Sequence, residues 1–240
     1  MHAEGTRGEP TAFYALGMDA LIAFAATLLA LRLAGLLGRR WRETRRPELL
    51  AWAWSLAAYA VAAAALTWGE AAQWDGRAFR VYYAAGALLT APLLGAGSLL
   101  LAGVRRAGPV ALVYVGLAVG IALAMPVHGV FAPHAVPPAQ DHLALAPGRI
   151  LAILANALGT IAVVGVAVRS FRRRRLGNSL IVLGVAAAAT GSGLAGLGAG
   201  GAAIGIAVGV ALLYAGFVAE PDRSLHRLNV VVSTVPDRNA

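Results

Sequence analysis

The sequence contains no cysteine and no lysine, and only 13% of its residues are charged. Without cysteine, the chain has no disulfide, thiolate nucleophile, thiolate-bound metal or covalently attached haem. Without lysine, it has no amine for the Schiff base of a retinal pump, since all 20 basic residues are arginine. Its apolar segments also lack a carboxylate pair and a serine with a histidine at comparable depth. We therefore expect no enzyme and no cofactor.

Apolar residues dominate what is present, because 59% of the chain is hydrophobic and its mean hydropathy is +0.72. A soluble domain needs about a quarter of its residues charged, so this composition excludes one. Since about 20 apolar residues cross a bilayer as a helix, the sequence predicts an all-α polytopic membrane bundle of seven transmembrane helices. The predicted spans are Ala15–Leu37, Leu49–Gly69, Val81–Val104, Pro109–Val127, Arg149–Val168, Ser179–Gly198 and Ala202–Ala219.

The arginines orient this bundle, because cytoplasmic loops retain an excess of positive charge. Fifteen arginines fall in alternate connections and the C-terminal tail, against four on the other side. The sequence therefore predicts an extracytoplasmic tail (residues 1–14), a transmembrane domain (residues 15–219) and a cytoplasmic tail (residues 220–240) in a bacterial cytoplasmic (inner) membrane. We expect the clusters Arg39–Arg46 and Arg169–Arg175 to contact anionic lipid headgroups and no nucleic acid, since no nucleic-acid-binding module accompanies them.

Several short motifs, spread over most of the chain, carry a resemblance to known proteins. They are Phe79–Tyr83, Pro92–Gly95, Leu154–Thr160, Gly177–Ile181 and Gly216–Phe217. Through these motifs the chain resembles uncharacterised seven-span integral membrane proteins of high-GC bacteria, a family that brings no assigned activity. In topology alone it is similar to the seven-span sensory modules of histidine kinases. Its three-plus-one-plus-three helix plan is similar to that of the SWEET and PQ-loop transporters.

Ionisable side chains at a membrane span mark the places where function is expected, because burying them is costly. Arg149 opens the fifth span, and Asn156 follows seven residues later on the same helical face. Glu70, Asp75 and Arg80 flank the second and third spans on the same predicted outer side. These five residues form our candidate ligand site at the outer mouth of the bundle. The alternative is a structural ion pair that closes this end.

The connection between the fourth and fifth spans is rich in groups that bind zinc, copper or nickel. It contains His128, His134, Asp141 and His142 within a proline-rich stretch. Their spacing matches no established metal-binding motif. The alternative to a metal site is therefore a surface loop.

Glycines in the last two predicted spans indicate close helix packing. Gly191–Gly196 matches the glycine pattern of dinucleotide-binding loops, but it lacks the preceding strand and the following water-exposed helix that such a site requires. Small residues instead allow membrane helices to approach closely. We therefore predict that spans six and seven pack through Gly184, Gly191, Gly205 and Gly209. The same glycines alternatively form a dimer contact.

Pro92 lies inside the third predicted span. Because proline has no N–H group, it removes a backbone hydrogen bond and kinks a helix. We expect a freed carbonyl near Thr90 to point toward the centre of the bundle.

Two functions follow from these observations. The first is a multi-pass membrane protein that acts as a small-ligand sensor or transporter component, with its polar site at the outer mouth. The alternative is a non-catalytic membrane scaffold that binds a protein partner, or a second copy of the chain, through the Gly-rich sixth and seventh helices.

Overall fold

The computed structural model describes residues 9–132, 136–169, 175–196, 208–209 and 211–216. These residues form helices and connecting loops without any strand, which confirms the predicted all-α class. The helices are α1 (Glu9–Thr44), α2 (Pro47–Ala72), α3 (Gly76–Leu101), α4 (Ala107–Ala124), α5 (Leu145–Arg169) and α6 (Arg175–Gly196). A single helical turn, Ala139–His142, lies between α4 and α5, and residues 208–209 and 211–216 are also helical.

A two-residue connection folds α1 back along α2. Arg45 ends α1 with a φ of 56°, in the left-handed region, and Arg46 is extended, as the residue before a proline prefers to be. Pro47 begins α2 at a position where its missing N–H costs no helical hydrogen bond. Leu33 and Leu37 then pack against the first turns of α2 in a buried cluster.

Helix α3 is the centre of the bundle, because it contacts α2, α4 and α5. Its middle is a π-helical segment, Ala84–Thr90, which lies between α-helical parts at Gly76–Tyr83 and Ala91–Leu101. Pro92 lies in the first turn after this segment. Where Pro92 predicts a kink, the structure has a π segment, in which each turn holds about one residue more than an α turn.

Helices α3 and α5 touch through their backbones. Helix α5 starts with a kinked segment, Leu145–Arg149, in which Ala146 is extended, and continues as a regular α-helix, Ile150–Arg169. Where the two helices cross, a Cβ atom added to Gly95 would lie 2.6 Å from the Cα of Gly159. This distance is far below a normal contact between carbon atoms, so only glycine permits the observed approach.

Glycines also join α6 to the helical residues 208–209 and 211–216. A Cβ added to Gly184 would lie 2.8 Å from the carbonyl oxygen of Gly209, and one added to Gly216 would lie 2.8 Å from that of Gly177. The predicted glycine packing is thus confirmed at Gly184 and Gly209. Gly205 falls outside the described residues.

Helices α2, α3, α4 and α5 are long and apolar enough to cross a membrane. Each of them overlaps one predicted span, although the bounds differ, and two predicted spans run past the C-terminal end of the helix. Helix α3 ends at Leu101, short of Val104, because Gly103 has a φ of 89°. Helix α4 ends at Ala124, short of Val127, because Met125 is extended. The helical geometry therefore stops before the hydrophobic runs do.

The other three predicted spans lie in parts of the chain that are described less completely. Ala15–Leu37 lies inside α1, which is helical from Glu9 onward, and Ser179–Gly198 overlaps α6. The span Ala202–Ala219 is described at residues 208–209 and 211–216, which are helical.

Large apolar side chains cover the outside of the membrane-compatible helices. On α4, Leu112 and Val113 are 75% exposed and Leu123 is 70% exposed; on α5, Leu158 and Ile161 are each 66% exposed. Soluble proteins rarely expose continuous apolar surfaces of this kind. These faces are therefore suited to contact with the hydrocarbon chains of a bilayer.

Because the helices alternate in direction, the connections gather at two ends of the bundle. The basic end holds the connections α1–α2 and α3–α4 and the C-terminus of α5. The described arginines at this end are Arg39, Arg40, Arg42, Arg45, Arg46, Arg105, Arg106, Arg169 and Arg175. The long-loop end holds the connection α2–α3 and the longer connection α4–α5.

Candidate functional site

Four of the five predicted ligand-site residues lie at the long-loop end. Glu70 is near the end of α2, Asp75 immediately precedes α3, and Arg80 is in the first part of α3. Arg149 is the last residue of the kinked segment Leu145–Arg149 at the start of α5. Asn156 lies about two helical turns further into the bundle, on α5.

Asp75 acts as the N-cap of α3. Its Oδ1 atom accepts hydrogen bonds from the backbone N–H groups of Arg77, at 3.1 Å, and Ala78, at 2.6 Å. The first N–H groups of a helix have no partner within the helix, so this carboxylate satisfies two of them and interacts favourably with the positive end of the helix dipole.

Arg80 satisfies the C-terminal end of a helix, whereas Asp75 satisfies an N-terminal end. Its guanidinium group donates hydrogen bonds to the carbonyl oxygens of Ala122, at 3.2 Å, and Leu123, at 2.5 Å. These carbonyls belong to the last turn of α4, where no backbone N–H group remains to satisfy them and the helix dipole is negative. Arg80 therefore ties the start of α3 to the end of α4.

Glu70 and Arg149 lie beside two neighbouring tyrosines of α3. Both side chains are half-buried; the charge of Glu70 acts on Tyr82 and that of Arg149 on Tyr83. Arg149 makes no hydrogen bond or ion pair with any other residue that the structure describes. The ion pairs that the described residues form with one another, Arg39–Glu43 and Arg46–Glu48, lie at the basic end instead.

Asn156 points its amide group at the π segment of α3. Its Nδ2 atom donates to the carbonyl oxygen of Ala87, at 2.5 Å, and to that of Ala152 in its own helix, at 2.7 Å. Arg149 and Asn156 were predicted to share one helical face, and their side chains have different surroundings. Arg149 faces the tyrosines, and Asn156 satisfies the backbone of α3.

Three neighbouring helices each supply one donor to carbonyl groups in the π segment. Besides Asn156 of α5, the Ser55 hydroxyl of α2 donates to the Thr90 carbonyl at 2.7 Å, and the Tyr114 hydroxyl of α4 donates to the Leu88 carbonyl at 2.5 Å. We call Ser55, Tyr114 and Asn156 the π-segment donors. The carbonyl predicted to be freed near Thr90 is thus present and bonded, together with two others.

The position of Pro92 explains why the carbonyls of Ala87 and Leu88 accept side-chain donors. In an α-helix the N–H of residue 92 would bond to the carbonyl of Leu88, and in a π-helix to that of Ala87. Proline supplies neither bond. In an apolar interior an unsatisfied carbonyl is costly, so Tyr114 and Asn156 replace the missing backbone donor.

The candidate metal loop is organised around a buried histidine. His142 is 5% exposed, its ring stacks on Phe131 with centroids 4.3 Å apart, and it also lies beside Phe79. Its Nδ1 atom is 2.8 Å from the carbonyl oxygen of His128. Because a carbonyl only accepts, Nδ1 carries the proton and donates. His128 therefore contributes its backbone to this contact.

A pocket of about 340 Å³ opens beside this histidine. It is lined by Gly129, Val130, Ala132, Val136, Pro137, Pro138, Asp141 and His142. Among the described residues, no group of three histidine, aspartate or glutamate side chains is placed to hold a metal ion. The fourth predicted ligand, His134, lies outside the described residues.

Comparisons with family models, curated proteins and solved structures give no match to this chain.

Proposed function

We propose that this chain is a multi-pass protein of a bacterial cytoplasmic membrane that binds a small ligand at its long-loop end, as a sensor or a transporter component. Arg149 is the observation that carries the proposal. It is a half-buried cation at the end of a membrane-compatible helix, with no ion pair or hydrogen bond to a described residue. A charge in such a position favours an anionic partner.

The chemistry of Arg149 favours a carboxylate or phosphate group, since guanidinium binds these planar or multidentate anions through several N–H groups. Tyr83 lies at the same end and offers a hydroxyl donor to the same anion, whereas the carboxylate of Glu70 suits a cationic group of the ligand. In this proposal the protein is not an enzyme, and the bound molecule is recognised without being chemically changed.

The proposed topology has seven spans, with the N-terminus outside and the C-terminus in the cytoplasm. It is supported by the gathering of arginines at the basic end, which the positive-inside rule assigns to the cytoplasm and to contact with anionic lipids. The cysteine-free chain permits a direct test. A membrane-impermeant maleimide added to intact cells should label Ala132→Cys at the long-loop end and leave Ala102→Cys at the basic end unlabelled. The reverse pattern would contradict the orientation.

Ligand binding is tested by thermal unfolding of the detergent-purified protein with a panel of small mono- and dicarboxylates and inorganic phosphate. A ligand present at about 100 times its Kd stabilises a protein by about 2.7 kcal/mol. We expect at least one member of the panel to raise the Tm of the wild type, and Arg149→Ala to abolish the shift. Arg77→Ala is the matched control, because Arg77 is an exposed arginine at the same end. A shift retained in Arg149→Ala, or none in the wild type, would refute the proposal.

A membrane scaffold is the second candidate. It is favoured by the structural use of Asp75, Arg80 and Asn156, each of which satisfies backbone groups. In this proposal the chain binds a protein partner or a second copy, as do many non-catalytic membrane subunits. Crosslinking in native membranes should then recover a defined partner band in both the wild type and Arg149→Ala. Recovery of the uncrosslinked chain alone would count against the scaffold.

A further inference from the structure

The two ends of α3 are held to different neighbours. Its C-terminal part is fixed to α5 by the backbone contact of Gly95 and Gly159. Its N-terminal part is held to α4 by Arg80, through the carbonyls of Ala122 and Leu123. The π segment Ala84–Thr90 is the connection between these two parts.

Pro92 makes two hydrogen-bond registers of α3 nearly equivalent. In the observed π register the carbonyl of Ala87 lacks a backbone donor, and in an α register the carbonyl of Leu88 would lack one. Each register therefore forfeits one backbone hydrogen bond. In the observed register Asn156 donates to the carbonyl of Ala87 and Tyr114 to that of Leu88, whereas a continuous α-helix would leave only the Leu88 carbonyl for Tyr114. Asn156 is therefore the side chain that favours the π register.

We infer that the π segment is a register switch, in which α3 alternates between the π register and a continuous α-helix. Removing about one residue per turn from the π segment rotates the N-terminal part of α3 by about 100° relative to its fixed C-terminal part. This rotation takes Arg80 away from the carbonyls of α4. The switch thereby links the interior of the bundle to its long-loop end. The inference goes beyond the proposed function and does not depend on a ligand.

Disulfide trapping distinguishes the two registers, because the chain has no cysteine of its own. A Cβ atom added to Gly86 would lie 3.3 Å from the Cβ of Ala62 in α2, close to the roughly 3.5–4.5 Å of a disulfide. The pair Ala62→Cys with Gly86→Cys therefore reports the π register. In the α register residue 87 takes the position of residue 86, so Ala62→Cys with Ala87→Cys reports that register.

The switch predicts different effects for Asn156 and Tyr114. Asn156→Leu removes the donor that only the π register needs, and Pro92→Ala restores the backbone donor of the α register. Both variants should raise the ratio of the 62/87 to the 62/86 disulfide by about fivefold or more, as expected for one buried hydrogen bond. Tyr114→Phe removes a donor to the Leu88 carbonyl, which Tyr114 can satisfy in both registers, so it should leave the ratio of the two disulfides unchanged.

The matched control is Ser98→Ala, which removes a buried serine hydroxyl that bonds only to Leu94 in its own helix, at 3.0 Å. Its disulfide ratio should equal that of the unsubstituted protein. A 62/87 yield that rises above the 62/86 yield supports the switch, because an unfolded chain would form the two disulfides about equally. Identical ratios in Asn156→Leu, Pro92→Ala and Ser98→Ala would overturn it and leave α3 with a single register.

Discussion

The close contact between Gly95 and Gly159 predicts that a methyl group added at position 95 would push α3 and α5 apart. In Gly95→Ala the new Cβ would lie 2.6 Å from the Cα of Gly159 and 2.8 Å from its carbonyl oxygen. Normal contacts need about 3.5–4.0 Å, so the helices must move apart by about 1 Å. The obstacle is backbone, which cannot turn away as a side chain does. Overpacking of this kind costs about 1–3 kcal/mol.

Gly165→Ala is the matched control for this substitution, because Gly165 lies in α5 with no atom within 4 Å of its added Cβ. Alanine is favoured over glycine within a helix by up to about 1 kcal/mol, so this variant should be neutral or slightly stabilised. The assay is unfolding of the detergent-solubilised protein by increasing SDS, followed by circular dichroism. Equal midpoints for Gly95→Ala and Gly165→Ala would refute the packing argument.

Three further substitutions test contacts at the long-loop end. Asp75→Ala should lower the free energy of unfolding by about 1 kcal/mol, because the N-cap is lost. Asp75→Asn keeps an acceptor oxygen, so its free energy of unfolding should fall less. The midpoints of SDS unfolding compare the two variants. Arg80→Leu should cost about 1.5–3 kcal/mol in the same assay, because it removes a charged donor from two carbonyls of α4, and a midpoint equal to that of the wild type would contradict this role. His142→Ala should increase hydrogen exchange across residues 125–132, while the control Gln140→Ala should not; equal protection would show that the His142 contacts do not order the loop.

The spans could be predicted where hydrophobicity alone determines the outcome. Leu49–Gly69 and Arg149–Val168 coincide with α2 and α5 because long apolar runs form helices whatever their neighbours are. The helix ends were less predictable. Hydrophobicity alone extends α3 to Val104, whereas the backbone already leaves the helix before Gly103, where φ is positive. A glycine near the end of an apolar run was the signal for this earlier end.

The polar interior could be predicted only in part. Pro92 predicted a kink and a freed carbonyl near Thr90; the structure has a π segment there, with carbonyls that accept side-chain donors. The donors Ser55 and Tyr114 were missed, since they come from α2 and α4 and their alignment with the π segment is a matter of packing. One signal was available: a proline deep in a span requires donors elsewhere, and Ser55 and Tyr114 are among the few hydroxyl groups in the neighbouring spans.

The short connections between the first four helices also bear on how the chain assembles during synthesis. Links of a few residues join α1 to α2, α2 to α3 and α3 to α4, so each new helix leaves the ribosome beside the one it packs against. Helix α5 differs, because its main contact is with α3 and it must pass α4 to reach it. The first four helices can therefore form before Gly159 meets Gly95. The slowest step of biogenesis is then expected at α5.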